Sequence, residues 1–375
     1  MKRTDFSVDW LFAACAPDTE LLPWNAQFTP VDLPHDWQIR HADDLYRDGT
    51  LFYRKYFFVT DVPGTRRMLW FGGAYMDTTV FVNGTEVGQW KYGYTSFWFD
   101  ITDALHEGQN EVLVRCNLRH PNSRWYSGAG LYRNVELWEA PDLHLMPDGL
   151  YVAAKEGDNG AWTVAVTAEA GSVTAASTGR TLTLHLTDDN GSLLGTAAIP
   201  ADAWAALPSL DGWRTGKETA IYKASHTFTL QDPALWDLDA PSFYHITAEL
   251  TGADGVTDTL TTRFGCRTIE ATPDCGLLVN HKRVLIKGVC IHHDFGCLGS
   301  AFEYSAAKRQ LEILKSMGVN SIRTGHTPPA PQFMDLADEM GILMDVESFD
   351  CWRSGKNPYD YGRFFDEWQE KDVAA

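Results

Sequence analysis

The feature that most constrains the fold is a strand and helix pattern that repeats in the last quarter of the chain. Three apolar runs there predict strands: VLIKGV (284–289), VNSIR (319–323) and ILMDV (342–346). The segments between them, SAAKRQLEILKSMG (305–318) and APQFMDLADEMG (330–341), predict amphipathic helices that Gly318 and Gly341 end in the left-handed conformation. The apolar stripe of the first helix consists of Leu311, Leu314 and Met317. Strands and helices that alternate in this way form a parallel sheet with right-handed crossovers.

Polar side chains follow each of these predicted strands. The first strand is followed by His292, His293 and Asp294, the second by Arg323 at its end and His326, and the third by Glu347, Asp350 and Trp352. Polar side chains at the carboxyl ends of successive parallel strands are typical of the active-site face of a (β/α)₈ barrel. A doubly wound sheet would carry a glycine-rich phosphate loop after its first strand, and GVCIHHDFG contains no GxGxxG. The pattern therefore favours a TIM barrel.

This barrel is predicted to be incomplete. A full barrel takes about 250 residues, whereas the segment from 284 to 375 has only 92 residues and three strands. We therefore expect a truncated barrel whose remaining strands are supplied by a longer native chain or by a partner chain.

Two all-β regions precede the barrel segment. Short alternating strands predict a jelly-roll β-sandwich over residues 1–140, in which the pair Asn83-Gly84 favours a type I′ hairpin turn. A second set of alternating runs predicts a seven-stranded immunoglobulin-like β-sandwich over residues 141–270. With the incomplete TIM barrel over 271–375, the predicted fold class is multidomain, β followed by α/β.

Charge and cysteine content exclude several classes of protein. The net charge is 31 − 50 = −19, which disfavours nucleic acid or an anionic membrane as a partner. Asp9 interrupts the first apolar stretch, which argues against a signal peptide, and no run reaches the ~18 apolar residues of a membrane span. The seven cysteines are scattered without a CxxC pair, which favours free thiols in a reducing compartment. We therefore expect a cytoplasmic protein.

Several segments, taken together and in order, resemble glycoside hydrolase family 2, the group of β-galactosidases and β-glucuronidases. They are LPHDWQI (33–39), FYRKYF (52–57), NSRWYSGAGLYRNVEL (122–137), LWDLDAPSFYHI (235–246), RFGCRTIEATPDCGLLVNHKRVLIKGV (263–289), GVCIHHDFGCLG (288–299), IRTGHTPPAPQFMDLADEMGILMDVESFDCW (322–352) and FFDEW (364–368). The resemblance covers nearly the whole chain and is strongest to β-galactosidase. It implies a sugar-binding jelly roll, an immunoglobulin-like middle domain and a catalytic barrel.

The resemblance implies the N-terminal part of a retaining exo-β-glycosidase that hydrolyses terminal β-galactosides in carbohydrate metabolism. A β-glucuronidase of the same family is the alternative activity. Two further alternatives are a carbohydrate-binding module without catalysis and an assembly subunit that a second chain completes. The exposed edges of an open three-stranded sheet count against the binding module, because such edges aggregate unless they are covered.

The resemblance implies no catalytic residue in this chain. Retaining glycosidases use two carboxyl groups about 5–5.5 Å apart, one as acid and one as nucleophile. In the family both are glutamates at the ends of the fourth and seventh barrel strands, and the first follows an asparagine. No Asn-Glu pair follows Val289, and Asn110-Glu111 lies in a predicted strand of the jelly roll. Both glutamates are therefore expected beyond Ala375, and the 375-residue chain alone is expected to be inactive.

The resemblance also implies a set of substrate-binding residues. They are His292, Arg323, His326, Glu347, Asp350, Trp352 and Arg124. Arg323 would orient a carboxylate and Trp352 would stack on a sugar face, although a purely structural role remains open for His292 and Arg323. Trp125 and Tyr126 either pack between domains or contact the sugar, and PHDW (34–37) is interpreted as structural.

No metal site is predicted in this chain. Adjacent residues on an extended backbone point to opposite sides, so His292 and His293 would not share an ion. In some family members carboxylates near Glu347 bind magnesium, but no complete ligand set is present here. No cofactor is evident, and the resemblance allows a magnesium or sodium ion only in the complete enzyme. The expected partners are a small carbohydrate substrate and other copies of the chain, since family members are often dimers or tetramers.

Overall fold

A computed structural model of the chain describes residues 1–41, 43–60, 64–173, 179–207, 217–218, 220–252 and 255–375. Two antiparallel sandwiches come first and a short parallel α/β unit follows, which confirms the predicted fold class. The exact boundaries between the three domains stay a prediction. None of the helices in the described residues is both long enough and apolar enough to cross a bilayer.

Ten strands build the first sandwich. They are β1 (Lys2–Asp5), β2 (Trp10–Cys15), β3 (Thr29–Val31), β4 (Gly49–Val59), β5 (Thr65–Phe71), β6 (Thr78–Val82), β7 (Thr85–Trp90), β8 (Phe97–Asp100), β9 (Gly108–Leu118) and β10 (Val135–Pro141). One sheet has the order β1-β10-β5-β8 and the other has the order β3-β2-β4-β9-β6-β7. Inward-facing side chains such as Trp10, Tyr53 and Phe71 alternate with outward-facing ones and fill the space between the sheets.

The turn between β6 and β7 is the predicted hairpin. Asn83 and Gly84 both have positive φ, 48° and 79°, as a type I′ turn requires. Asn110 and Glu111 lie inside β9, opposite Phe57 and Tyr56 of β4, so the Asn-Glu pair is part of a sheet, as predicted.

Among its described residues the second sandwich has eight strands, one more than the predicted seven. They are β11 (His144–Glu156), β12 (Ala161–Ser172), β13 (Thr181–Asp188), β14 (Leu193–Pro200), β15 (Ala205–Leu207), β16 (Ala220–Gln231), β17 (Tyr244–Gly252) and β18 (Gly255–Phe264). The sheets have the orders β11-β12-β16-β15 and β14-β13-β17-β18. The strand β15 is a three-residue edge strand that pairs with β16.

A small hairpin sheet leads into the barrel segment. The elements that follow are β19 (Ile269–Thr272), β20 (Gly276–Val279), β21 (Lys282–Arg283), β22 (Gly288–Ile291), α1 (Tyr304–Ser316), β23 (Ser321–Thr324), α2 (Pro331–Glu339), β24 (Leu343–Val346) and α3 (Phe365–Ala374). The last three strands pair in parallel in the order β22-β23-β24, as predicted. Leu311 of α1 and Phe333 and Leu336 of α2 are buried against Ile322 of β23, so both helices pack on this sheet.

Two details of this segment differ from the sequence-based expectation. The strand begins at Gly288 rather than at Val284, and Leu285 is 72% exposed. The strand begins later because the Asn320 side chain binds the Leu285 carbonyl and the Lys287 N–H in place of a neighbouring strand. Met317 is also exposed, because α1 ends at Ser316 and Met317 caps the helix instead of continuing its buried face.

The second sandwich packs on the end of α2. The indole Nε1 of Trp236 donates to the carbonyl oxygen of Asp338 at 2.9 Å. Gly341 follows α2 with φ 64°, and a Cβ at this position would overlap the carbonyl oxygen of Leu238. Glycine is therefore required here both for the left-handed turn and for the close approach of the two domains.

The first sandwich is joined to the barrel segment through a buried carboxylate, Asp36. It accepts hydrogen bonds from the backbone N–H groups of Gln38 at 3.0 Å and Ala129 at 3.1 Å, and from the Tyr126 hydroxyl at 2.6 Å. From the barrel side, the N–H and the hydroxyl of Ser300 donate to it at 2.8 and 3.0 Å. The PHDW segment is thus structural, as interpreted from the sequence.

Candidate functional site

An open cleft of about 530 Å³ lies at the carboxyl ends of the parallel strands. Six of the seven predicted substrate-binding residues line it: Arg124, Arg323, His326, Glu347, Asp350 and Trp352. The parallel pairing brings these residues together because it places the ends of β23 and β24 side by side. The first sandwich contributes Arg124, so the cleft is built from two domains.

Glu347 connects the ends of two neighbouring strands. Its backbone N–H donates to Thr324 Oγ1 at 3.2 Å, and its carboxylate forms an ion pair with Arg323. Arg323 also donates to Cys290 Sγ at 3.3 Å. Loss of hydration would lower the pKa of Arg323, but the hydrogen bond and the charge of Glu347 outweigh it and raise the pKa. Arg323 is thus ion-paired with a carboxylate at the strand ends, and its role in substrate binding stays a prediction.

His326 is oriented by the same carboxylate. Its Nδ1 lies 2.7 Å from Glu347 Oε2 and 3.4 Å from the Arg323 guanidinium. The carboxylate can only accept a hydrogen bond from Nδ1, which requires a proton on this nitrogen. The guanidinium can only donate a hydrogen bond to Nδ1, which requires the nitrogen to be unprotonated. The shorter contact decides in favour of a proton on Nδ1 that is donated to Glu347. In the neutral ring, Nε2 is then the nitrogen that can accept a hydrogen bond from a ligand.

Asp350 is held between two cations from different parts of the chain. Arg124 Nη2 donates to it at 2.5 Å and Lys356 Nζ at 2.8 Å. Its side chain is only 8% exposed, and burial alone would raise its pKa. The hydrogen bonds from Arg124 and Lys356 outweigh this effect and bring the pKa of Asp350 to about 2. Asp350 is therefore ionised throughout the physiological pH range.

The loop that carries Arg124 also places an aromatic ring beside the cleft. Trp125 stacks on His292 with ring centroids 5.2 Å apart and an interplanar angle of 7°. Its edge also meets His326 at 5.5 Å. Tyr126, the next residue, points away and donates to Asp36. Trp125 thus packs between the domains at the margin of the cleft, while Tyr126 has a structural role.

His292 is the predicted residue that does not line the cleft. Its Nδ1–H donates to the Gly325 carbonyl, and its ring lies beneath Trp125. His293 points elsewhere, and its Nε2–H donates to the Ser127 carbonyl at 2.9 Å. Burial lowers the pKa of His293 to about 4, so it is neutral. The two histidines therefore have separate partners, and His292 acts on the cleft only through the rings that it supports.

The cleft does not fit a divalent cation. Magnesium prefers several carboxylate or water oxygens, whereas Glu347 and Asp350 are already paired with Arg323, Arg124 and Lys356. No group of three histidine, cysteine or carboxylate side chains converges on one point in the part of the chain that the structure describes. The absence of a metal site in this chain stays a prediction, but these residues offer no free ligand set.

Sequence reasoning missed several residues that line the cleft. They are Ser348, Phe349, Lys356, Phe365, Gln369 and Val373. Trp352, which is 65% exposed, leans on the Phe365 ring at 5.7 Å, so α3 forms the floor under this tryptophan. The segment between β24 and α3 has no strand or helix periodicity that would have shown where Lys356 lies. The Ser354-Gly355 and Asn357-Pro358 turn signals were local indications that the chain folds back there.

Three parts of the chain match one protein family in order. Residues 23–141 match glycosyl hydrolases family 2, sugar binding domain; residues 148–267 match glycosyl hydrolases family 2; and residues 271–366 match glycosyl hydrolases family 2, TIM barrel domain. Together these matches extend over nearly the whole chain.

Individual relatives agree with this assignment. The β-galactosidase BoGH2A of Bacteroides ovatus is 35% identical, over 99% of this chain and 44% of its own length. A β-glucuronidase of Bacteroides fragilis is 28% identical, over 86% of this chain and 48% of its own. A crystal structure of a glycosyl hydrolase family 2 member from Bacteroides cellulosilyticus, 28% identical, superposes with a TM-score of 0.87 over 100% of this chain and 49% of that one. The chain thus spans less than half the length of these relatives.

Proposed function

Because this chain belongs to glycosyl hydrolase family 2, we propose that it is the substrate-recognising part of a retaining exo-β-glycosidase that acts on terminal β-galactosides. The observation that carries the proposal is the two-domain cleft, in which Arg124 of the first sandwich meets Asp350 of the barrel segment. Exo-acting enzymes need a closed end that stops the sugar chain, and a loop from a second domain can provide one. The ion pair fixes this loop at the cleft.

The side chains in the cleft suit a neutral sugar. Trp352 exposes a flat apolar face, which can stack on the carbon face of a pyranose ring. Asp350 is a fixed anionic acceptor for sugar hydroxyls, and His326 can accept from a hydroxyl through Nε2. The ion pair with Arg323 holds Glu347 in place, so its carboxylate is a fixed group that can accept hydrogen bonds from the sugar.

Neither carboxylate in the cleft is suited to general acid catalysis. A glycosidase acid needs a raised pKa so that it holds a proton near neutral pH. The pKa of Asp350 is instead lowered to about 2, and Glu347 is ion-paired. We therefore propose that the acid and the nucleophile belong to the remaining barrel strands, and that the 375-residue chain binds sugar without turning it over.

A β-glucuronidase activity is the second candidate. Arg124 and Lys356 present cationic groups at the cleft surface, which could pair with the carboxylate of a uronic acid. In the structure, however, both already pair with Asp350, and a uronate would compete with that buried anion. This competition favours a neutral galactoside as the substrate.

A panel of aryl β-glycosides, tested on the native full-length protein, separates these activities. We expect cleavage of β-galactosides and none of β-glucuronides; the reverse pattern would show that the assigned specificity is wrong. Trp352→Ala should weaken galactoside binding about tenfold, because a stacking face is lost. Trp24→Ala is the matched control, since Trp24 is 97% exposed and does not line the cleft.

A further inference from the structure

The loop between β24 and α3 carries three residues of the cleft, Asp350, Trp352 and Lys356. In this stretch, every residue of which the structure describes, the only regular element is a one-turn 3₁₀ helix, Tyr361–Arg363. Its backbone N–H groups have no ladder of neighbouring strands to bind and need other partners. Whatever binds them therefore decides how this wall of the cleft is shaped.

The side chain of Asp360 supplies these partners. It is buried, with 3% of its surface exposed, and it does not line the cleft. Its Oδ2 accepts hydrogen bonds from the backbone N–H groups of Lys356 at 2.5 Å and Asn357 at 2.6 Å. Its Oδ1 accepts from the backbone N–H of Gly362 at 3.0 Å. One buried carboxyl group thus closes the loop of residues 351–362 on itself.

The thiol of Cys351 is a further donor to Asp360. Its Sγ lies 3.1 Å from Asp360 Oδ2 and 3.4 Å from Asp350 Oδ2, and the single S–H proton favours the shorter contact. Burial, and then the hydrogen bond to Asp360, raise the pKa of Cys351 to about 12, so the thiol keeps its proton at neutral pH. Cys351 stands between Asp350 and Trp352 in the sequence. Its thiol therefore ties the cleft end of the loop to Asp360.

The other end of the loop packs on the backbone of Trp352. A Cβ at Gly362 would lie 3.0 Å from the Trp352 carbonyl oxygen and 3.0 Å from Asp360 Oδ1, which is closer than side chains normally approach. Glycine therefore allows the turn that Asp360 binds to lie directly against Trp352. The ring of Trp352 leans on Phe365, which follows the same turn. Asp360 thus binds the residues before and after the tryptophan that fix its position.

We propose that Asp360 is a positioning residue of the cleft, which holds the loop so that Trp352 presents its exposed face to the sugar. The same loop shape lets Lys356 Nζ reach Asp350 Oδ1 at 2.8 Å. The inference rests on the proposed function, since it treats the cleft as a sugar site. It adds a residue that acts on sugar binding from behind the cleft wall. Because the loop carries binding groups and not the acid or the nucleophile, its distortion should raise KM and leave kcat nearly unchanged.

The first test is Asp360→Asn in the native full-length protein, with an aryl β-galactoside as substrate. Asparagine keeps the size of the side chain but turns one acceptor oxygen into an NH₂ donor, which cannot accept from the loop N–H groups. We expect KM to rise about tenfold and kcat to stay within about twofold of the wild type. A fall in kcat with an unchanged KM would overturn the inference.

A double variant separates positioning from a general structural role. Once Trp352→Ala has removed the ring, Asp360 can no longer place it. The KM of Asp360→Asn/Trp352→Ala should therefore lie well below the value expected from multiplying the two single effects. A merely structural role would act independently of the ring. Single effects that multiply in full would show that Asp360 does not position Trp352.

Asp366→Asn is the matched control for the loss of a carboxylate from this loop. Asp366 binds Arg353 at 2.7 Å, both side chains are 71% exposed, and neither lines the cleft. This variant should have the KM of the wild type. A tenfold rise here as well would show that any loosening of the loop weakens binding, and the role assigned to Asp360 would be wrong.

Hydrogen exchange tests the loop without any sugar. The amides of Lys356, Asn357 and Gly362 should exchange faster in Asp360→Asn than in the wild type, because they lose their acceptor. Equal exchange would overturn the inference whatever the kinetics show. If the wild-type full-length protein cleaves no β-galactoside while these amides still exchange faster in the variant, the proposed function fails and the hold of Asp360 on the loop stands.

Discussion

Asp350 accepts hydrogen bonds from two cations that approach from different sides, Arg124 on the first sandwich and Lys356 beyond β24. Its lowered pKa of about 2, against an ordinary value of 3.8, links these contacts to stability. The stabilising contribution is complete above the unfolded-state pKa and is lost as the pH falls through about 2. We therefore predict that Asp350→Asn is less stable than the wild type at pH 5 and that the difference shrinks below pH 4. Urea unfolding at several pH values measures this, and a difference that stays constant with pH would contradict it.

Individual side chains also show which features of the site can be predicted from the sequence and which cannot. Arg323, His326 and Glu347 were predictable as neighbours because each lies at a strand end, and parallel strand ends meet. The pairing of Arg124 with Asp350 joins residues 226 positions apart, and the resemblance alone brought Arg124 into the predicted site. His292 was placed in the pocket because it follows a strand, yet its ring turns under Trp125. Strand-end position predicts proximity but does not predict the direction of a side chain.

Among the elements, α3 carries a buried carboxyl group, Asp372, whose protonation changes near neutral pH. Burial raises the pKa of Asp372 to about 7, although hydrogen bonds from Tyr361 and Thr95 and the charge of Lys371 oppose the shift. The folded state then holds a proton that the unfolded state releases above pH 3.8, so stability falls as the pH rises towards 7. We predict that Asp372→Asn gains thermal stability relative to the wild type between pH 5 and pH 8. Equal melting temperatures of the variant and the wild type across this range would show that Asp372 does not titrate there.

The two helix-ending glycines should respond differently to the same substitution. Both have positive φ, 87° at Gly318 and 64° at Gly341. Alanine in this conformation costs about 1–2 kcal/mol, and Gly318→Ala should lose no more than that because nothing lies near its Cβ position. Gly341→Ala should lower the free energy of unfolding by clearly more, since its Cβ would overlap the Leu238 carbonyl. Denaturant unfolding of both variants measures the difference. Equal losses of unfolding free energy would show that the two domains are not in close contact at Gly341.

The errors at the scale of elements have one physical cause. Periodicity reports which residues tend to be buried, but it does not say which neighbour covers them. VLIKGV is apolar enough for a buried strand, yet Leu285 is exposed, and its backbone carbonyl pairs with the Asn320 side chain rather than with a strand. In the same way Met317 continues the apolar stripe of α1 in sequence but not in space. The Asn83-Gly84 turn and the glycine that ends α1 were predicted correctly because they depend on local backbone conformation.

For the whole molecule, Asp36 is one of several groups that join the first sandwich to the barrel segment, beside Tyr361 and Phe365, which belong to the core of the first sandwich. Asp36→Ala would leave the donors of Ala129, Tyr126 and Ser300 unpaired in a buried site. We predict a loss of about 3 kcal/mol or more and a separation of the unfolding transitions of the two domains. Tyr126→Phe removes a single hydrogen-bond donor and should lower the free energy of unfolding by about 1 kcal/mol. This variant should still unfold in one transition. Unfolding followed by tryptophan fluorescence and by circular dichroism tests both expectations, and a single unshifted transition in Asp36→Ala would refute them.

The pairing of β1 with β10 has a consequence for the moment of synthesis. Lys2–Asp5 are translated well before their partners in the sheet, Glu136–Glu139. Until then the first strand is an open edge on a nascent chain, and such edges are where newly made proteins stick to one another. Three of the four residues of β1 are charged and all four stay exposed in the finished sheet. These charges oppose association of the unpaired strand with other chains until β10 has been made.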